Sequence, residues 1–154
     1  MLTPEEQQAI NAELAHSENR QAGCIDALKL LQRRRGWISD ETVQELAAFL
    51  SMSATEVDSI ATFYNLLFRQ PVGRHVILVC NSVSCWVRNY DELLKGLSER
   101  LGISLGQTTS DGRFTLLPIA CLGACDHAPA LMVDGDLYHD VTADDIQLLT
   151  ARYP

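Results

Sequence analysis

Basic residues are scarce in this chain: 12 Lys and Arg stand against 20 Asp and Glu, a formal net charge of -8 over 154 residues. No basic stripe is present that could neutralise a phosphate backbone, so nucleic acid is not an expected partner. Long apolar runs are also missing. The most apolar stretch, VILVC, falls far short of the roughly 20 residues a membrane-spanning helix needs. The N-terminal MLTPEEQQAI has neither a basic n-region nor an apolar h-region. A soluble, cytosolic protein is the expectation. No G-x-G-x-x-G follows a strand-like run, and no P-loop or nucleophile-base pair is evident, so neither dinucleotide binding nor acid-base catalysis by this chain is expected. A redox-type C-x-x-C is absent as well, which argues against thiol-disulfide exchange.

What is present begins with 47% apolar content, enough to bury a core as one domain or two small ones. Residues 1 to about 70 read as helices. Thr3 can cap the first, with Pro4 at its first position, Glu6 closing a capping box, and an end near His16. A second, about Arg20 to Arg35, carries Ile25, Leu28 and Leu31 at helical spacing, with Gly36 placed for a left-handed cap. A third follows Ser39-Asp40, and a fourth starts at the Ser53-Ala-Thr-Glu56 box and runs into ATFYNLLF.

The texture changes at QPVGR, which places a boundary near residue 72, between a helical domain 1-72 and a second domain 73-154. Beyond it come a strand over 75-80, a loop holding two cysteines, a helix from about Tyr90 to Leu101, and a strand in RFTLLPI. This forms a β-α-β unit with a crossover long enough for parallel pairing. ALMV and DLYH flank Asp134-Gly135, a two-residue hairpin signal, and Thr142 to Asp145 caps a last helix. The fold class is therefore α/β, and the order β-α-β-β-α resembles a thioredoxin fold lacking its first strand and helix.

Five cysteines in a reducing compartment argue for metal or redox chemistry over a disulfide framework, and the odd one out is Cys24. Cys80 ends HVILVC and Cys85 follows it. Cys121 ends another apolar run and Cys125 follows that. Parallel neighbouring strands deliver their C-terminal ends to one sheet edge, so the two loops are expected to face each other. The pattern is C-x4-C, 35 intervening residues, then C-x3-C. An all-sulfur set of this kind selects zinc or an iron-sulfur cluster. Zinc ribbons commonly use short C-x2-C knuckles, whereas these wider, unequal loops favour a 2Fe-2S cluster and leave zinc as the alternative. The small residues of Asn81 to Ser84 and Leu122 to Ala124 can turn N-H groups toward the sulfurs, with Gly123 expected at positive φ.

These spacings, with ATFYNLLFRQPVGRHVI and DGRFTLLPIACLGACDHAP, resemble the thioredoxin-like 2Fe-2S ferredoxins over nearly the whole chain. Within them, the branch that serves bacterial NADH:quinone oxidoreductases is similar along the helical segment too. The resemblance implies that Cys80, Cys85, Cys121 and Cys125 ligate one binuclear cluster. It also implies that FMN and NADH belong to a partner flavoprotein subunit, on which the helical segment docks. The chain would then be a peripheral one-electron carrier on the cytoplasmic side of the inner membrane, with its cluster off the main wire to quinone. An NAD-linked hydrogenase or formate dehydrogenase offers an equivalent setting, and a zinc-stabilised interaction module is the reading from another class.

Other tempting residues have plainer readings. His127, two residues after Cys125, is expected at the surface because four thiols complete a ligand set, and His16, His75 and His139 form no pattern. Phe63, Tyr64 and Phe68 fit a docking patch or a buried core equally. Trp86 is expected to shield the cluster from water. Cys24 reads as a buried small hydrophobe, and Arg33 to Arg35 as solvated charges at a helix C-terminus or a docking site for an acidic surface. Pro129 stands where thioredoxin-like folds often have a cis proline, and Asp134, Asp136, Asp140, Asp144 and Asp145 read as turn and cap residues.

Overall fold

The computed structural model describes residues 1-154 and divides them into two compact units, Met1–Pro71 and Val72–Pro154. The first holds four helices: α1 (Pro4–Leu14), α2 (Cys24–Arg35), α3 (Asp40–Leu50) and α4 (Ala54–Phe63). Their starts follow from side-chain chemistry. Thr3 accepts from the backbone N-H of Glu6 while the Glu6 carboxylate accepts from that of Thr3, and Ser53 and Glu56 repeat the arrangement for α4. Each such box satisfies two helix donors that would otherwise lack partners. The helix α2 opens later than expected, because Gly23 stands at its N-cap after a turn. Gly36 ends it with φ 86°, a conformation that a side chain would strain.

The core of this unit gathers Ile10, Leu28, Leu31, Ile38, Leu46, Leu50 and Val57, all essentially inaccessible. Each such side chain contributes about 1.5–3 kcal/mol on burial. Over that core lies an ion network. Arg35 donates to both carboxylate oxygens of Glu6 at 2.7 Å and approaches Glu45 at 3.0 Å. Of the three arginines that end α2, Arg33 and Arg34 are exposed as expected. Arg35 instead turns inward and ties α2 to α1 and α3, so solvation is not its role. Cys24 is 1% exposed, and burial pushes its thiol up to about 11, which makes it an inert packing residue.

The second unit is a four-stranded sheet in the order β2-β1-β3-β4, built from β1 (His75–Cys80), β2 (Phe114–Ile119), β3 (Leu131–Val133) and β4 (Asp136–Tyr138). The strand β1 is central and buried along almost its whole length, which explains a run, HVILVC, that does not alternate. It pairs parallel with β2, and β3 and β4 add antiparallel. Pro118 lies within β2, where its missing donor is tolerated because β2 is an edge strand. Asp134 and Gly135 turn the β3–β4 hairpin with φ 52° and 105°, as the Asp-Gly pair predicts.

Between β1 and β2 the chain forms α5 (Val83–Val87) and α6 (Tyr90–Leu101), and α7 (Ile146–Ala151) closes the unit. Leu93 and Leu97 of α6 pack with Ile77, Val79, Leu116 and Leu131 of the sheet. The short helix α5 departs from the loop expected over residues 83-87, since five residues are too few to display a helical period. Thr142 likewise caps a 3-10 turn, Ala143–Asp145, before α7 begins. The Ala128–Pro129 peptide bond is cis.

Candidate metal centre

The register of β1 on β2 pairs Cys80 with Ile119, so the residues that leave both strands emerge at one edge of the sheet. Backbone bonds fasten the exits. Cys80 donates its N-H to the carbonyl of Ala130 at 3.1 Å, and Asn81 donates to that of Ile119 at 2.9 Å. Cys80 ends β1, Cys85 lies on α5, Cys121 follows β2, and Cys125 opens a 3-10 turn, Cys125–His127. One edge therefore carries all four thiols.

The four are not equivalent. Cys80 and Cys85 are buried, at 2% and 3% exposure, while Cys121 and Cys125 are exposed. The Sγ atoms of Cys121 and Cys125 lie 3.4 Å apart, and the Gly123 N-H points at the Cys121 sulfur from 3.3 Å. The Cys80 thiol donates to the carbonyl of Ala120 at 2.9 Å. Burial, and then the neighbouring Cys80 thiol, push Cys85 up to about 11. The N-H of Gly123 and the thiol of Cys125 hold Cys121 below the usual thiol range, while Cys121 raises Cys125 in turn. The causes differ between the pairs: burial leads for Cys85, and hydrogen bonding leads for Cys121 and Cys125. Burial and a neighbouring thiol disfavour a thiolate at Cys85, and the adjacent Cys121 sulfur disfavours one at Cys125, which positive charge placed among the sulfurs would relieve.

As a donor set for a 2Fe-2S group the arrangement fits. It is all sulfur, drawn from two loops facing one another, and Gly123 turns with φ 82° between two of the sulfurs and aims a backbone donor at one. Space is left around Gly123, since a Cβ built there meets nothing within 4 Å. Within the protein its requirement is therefore the positive φ.

The residues around the thiols correct one expectation. Trp86 is 62% exposed and not packed into the protein, because α5 turns Cys85 inward and carries Val83, Trp86 and Val87 on its outer side. The result is an apolar rim beside the cysteines. On the helical unit, Phe63 and Tyr64 stack edge to face at 5.3 Å and stand exposed, which removes the buried-core reading for both, while Phe68 is half-buried. His127 lies at the surface, as expected, with Nδ1 2.8 Å from the carboxylate of Asp140. His139 contacts the same carboxylate, a grouping that wide separation in sequence conceals.

The model of the thioredoxin-like 2Fe-2S ferredoxin family matches residues 10-153. Among curated proteins, the E subunit of the NADH-quinone oxidoreductase of Pseudomonas aeruginosa is 45% identical over 153 residues, which cover 99% of this chain and 92% of that relative. Its counterpart of the same name in Escherichia coli is also 45% identical, over 152 residues and the same shares. Among solved structures, a chain of an NAD+-reducing NiFe hydrogenase, crystallised in its hydrogen-reduced state, superposes with a TM-score of 0.72 at 27% identity. The match takes in 85% of this chain and spans only 22% of the hydrogenase chain. A single match running through both compact units, carried by relatives of almost the same length, establishes that the chain belongs to the thioredoxin-like 2Fe-2S ferredoxin family.

Proposed function

We propose that this chain is the one-electron carrier subunit of the NADH-oxidising module of a bacterial NADH-quinone oxidoreductase. Cys80, Cys85, Cys121 and Cys125 bind one 2Fe-2S cluster, close to the FMN of a neighbouring flavoprotein subunit that also binds NADH. The observation that carries the reading is the gathering of four thiols at the common edge of β1 and β2. Relatives 45% identical along 99% of the chain supply the setting. In this reading the chain is held at the cytoplasmic face of the inner membrane by the other subunits; no helix of its own is long and apolar enough to cross a membrane. The hydrogenase likeness favours the equivalent subunit of an NAD-linked hydrogenase as a second setting, at lower identity.

A bound 2Fe-2S group supplies reversible uptake of a single electron. This chain's residues set the conditions for it. Buried Cys80 and Cys85 anchor the inner side in a low dielectric, which disfavours added negative charge. The Gly123 N-H offers the outer side a compensating donor. The exposed side of Cys121 and Cys125, with Val83, Trp86 and Val87 nearby on α5, is the face left for the electron donor. No side chain acts as an acid or base.

Anaerobically purified protein tests this by absorption and low-temperature EPR, oxidised and then reduced with dithionite, with iron and zinc assayed alongside. The expected protein is red-brown, holds about two irons per chain, and shows a rhombic S = 1/2 signal only after reduction. A colourless protein with one zinc, silent even after iron-sulfide reconstitution, would sink the carrier reading and leave a zinc-stabilised interaction module.

A further inference from the structure

We propose that His127, His139 and Asp140 form a second metal site, for a divalent cation of the zinc class, outside the four-cysteine centre. One donor atom from each of the three lies within 4.8 Å of the others. A single carboxylate oxygen, Asp140 Oδ2, is 2.8 Å from His127 Nδ1 and 3.2 Å from His139 Nδ1. In a tetrahedral zinc site with bonds of about 2.0–2.2 Å, neighbouring donors lie roughly 3.3–3.5 Å apart. The His139–Asp140 spacing of 3.2 Å is close to that value, the His127–Asp140 spacing of 2.8 Å is shorter by about half an ångström or more, and all three donors lie within 4.8 Å, so an ion requires the side chains to spread without any backbone rearrangement. The imidazole planes are 42° apart with centroids at 4.9 Å, so the rings are tilted and not stacked, and the Nδ1 atoms of both face the same Asp140 oxygen.

The backbone holds the two segments together before any ion binds. Asp140 donates its N-H to the carbonyl of His127 at 2.8 Å, and Val141 donates to that of Pro129 at 3.2 Å. The ordering of the ligand loops is thus already accomplished by the fold, which favours binding. A fourth charged group stands nearby. Asp126 Oδ2 lies 3.6 Å from His127 Nε2, the ring nitrogen opposite the one facing Asp140, beyond hydrogen-bond distance but near enough to add negative charge beside the ring. The rings are more than half exposed, so the site is open to ions and leaves a coordination position for water. Two imidazoles with one carboxylate select zinc, nickel or copper over magnesium and calcium, which require oxygen. The rival arrangement is two histidines sharing an aspartate as an ion network without metal.

The test is equilibrium dialysis of cluster-loaded protein against zinc chloride, anaerobically, for the natural chain, His139→Ala and Asp140→Asn. Cluster absorbance and free thiols are followed alongside. The expected result is about one zinc per chain bound with the cluster absorbance unchanged, and an affinity lower by ten-fold or more in both variants. The side-chain NMR signals of His127 and His139 shift together as zinc is added to the natural chain. No zinc bound by the natural chain, or equal binding by all three, overturns the site. The inference does not depend on the cluster: if the cysteines hold zinc instead, that zinc removes reactive thiols and survives His139→Ala, whereas the histidine-bound ion does neither.

Discussion

Gly123 carries the sharpest conformational demand in the cysteine site, with φ 82° between Cys121 and Cys125 and its N-H directed at the Cys121 sulfur. Left-handed backbone is disfavoured by roughly 1–2 kcal/mol for an L-residue with a Cβ, and a β-branched side chain meets it worst. No protein atom crowds the position, so within the chain the penalty falls on the loop. Gly123→Val is expected to lose its cluster, seen as iron per chain and visible absorption, while far-UV circular dichroism keeps its helix content. Full cluster occupancy in that variant would refute the role of this turn. The glycine and the paired cysteines were legible because spacing and composition record them directly. The orientation of Trp86 was not, since a five-residue helix offers no period from which to read an inner and an outer face. Arg35 was equally hidden: a run of three arginines does not announce which one finds a carboxylate 29 residues away.

At the level of elements, the capping boxes of α1 and α4 and the parallel pairing of β1 with β2 followed from local pattern, because each depends on residues close in sequence or on one long apolar run. The 3-10 turn at Cys125 and the three-residue strands β3 and β4 depend on tertiary context, and only the Asp-Gly turn between the strands betrayed them. What joins the helices is also non-local. Hydrogen bonds from Arg35 are the main cause that holds the Glu6 carboxyl down to about 2, against an ordinary 4.5. A carboxyl depressed in the folded state favours folding fully above its unfolded value and loses that contribution as pH falls through the folded one. The helical unit is therefore expected to weaken between about pH 4.5 and 2, by about 1–3 kcal/mol once Glu6 takes up its proton, as read by urea unfolding followed by circular dichroism. Arg35→Ala removes the partner and leaves Glu6 buried, with a loss of about 2–4 kcal/mol at pH 7 and a flatter acid dependence. Unfolding of Arg35→Ala that matches the natural chain at both pH values would show the pair to be idle.

For the molecule as a whole, the informative feature is apolar surface on a chain whose net charge is -8. Phe63 is 77% exposed, with Tyr64 and Leu66 beside it at the end of α4, and on the other unit Trp86 is 62% exposed between Val83 and Val87. Clustered aromatic and aliphatic side chains without cover mark surfaces that associate, and aromatic anchors dominate the energy of such contacts. Phe63→Asp and Trp86→Glu each place a charge where an apolar anchor would be desolvated. Each is expected to weaken binding to the proposed flavoprotein partner by about 2 kcal/mol, roughly 30-fold in Kd. Both should retain the natural EPR signal, because neither side chain carries sulfur or closes the cysteine loops. Titration of the isolated flavoprotein against each variant by calorimetry makes the comparison. Unchanged affinity in both would place the interface elsewhere and leave these residues as ordinary exposed hydrophobics. Loss in Trp86→Glu alone would confine the contact to the cysteine unit, and loss in Phe63→Asp alone would assign it to the helical one.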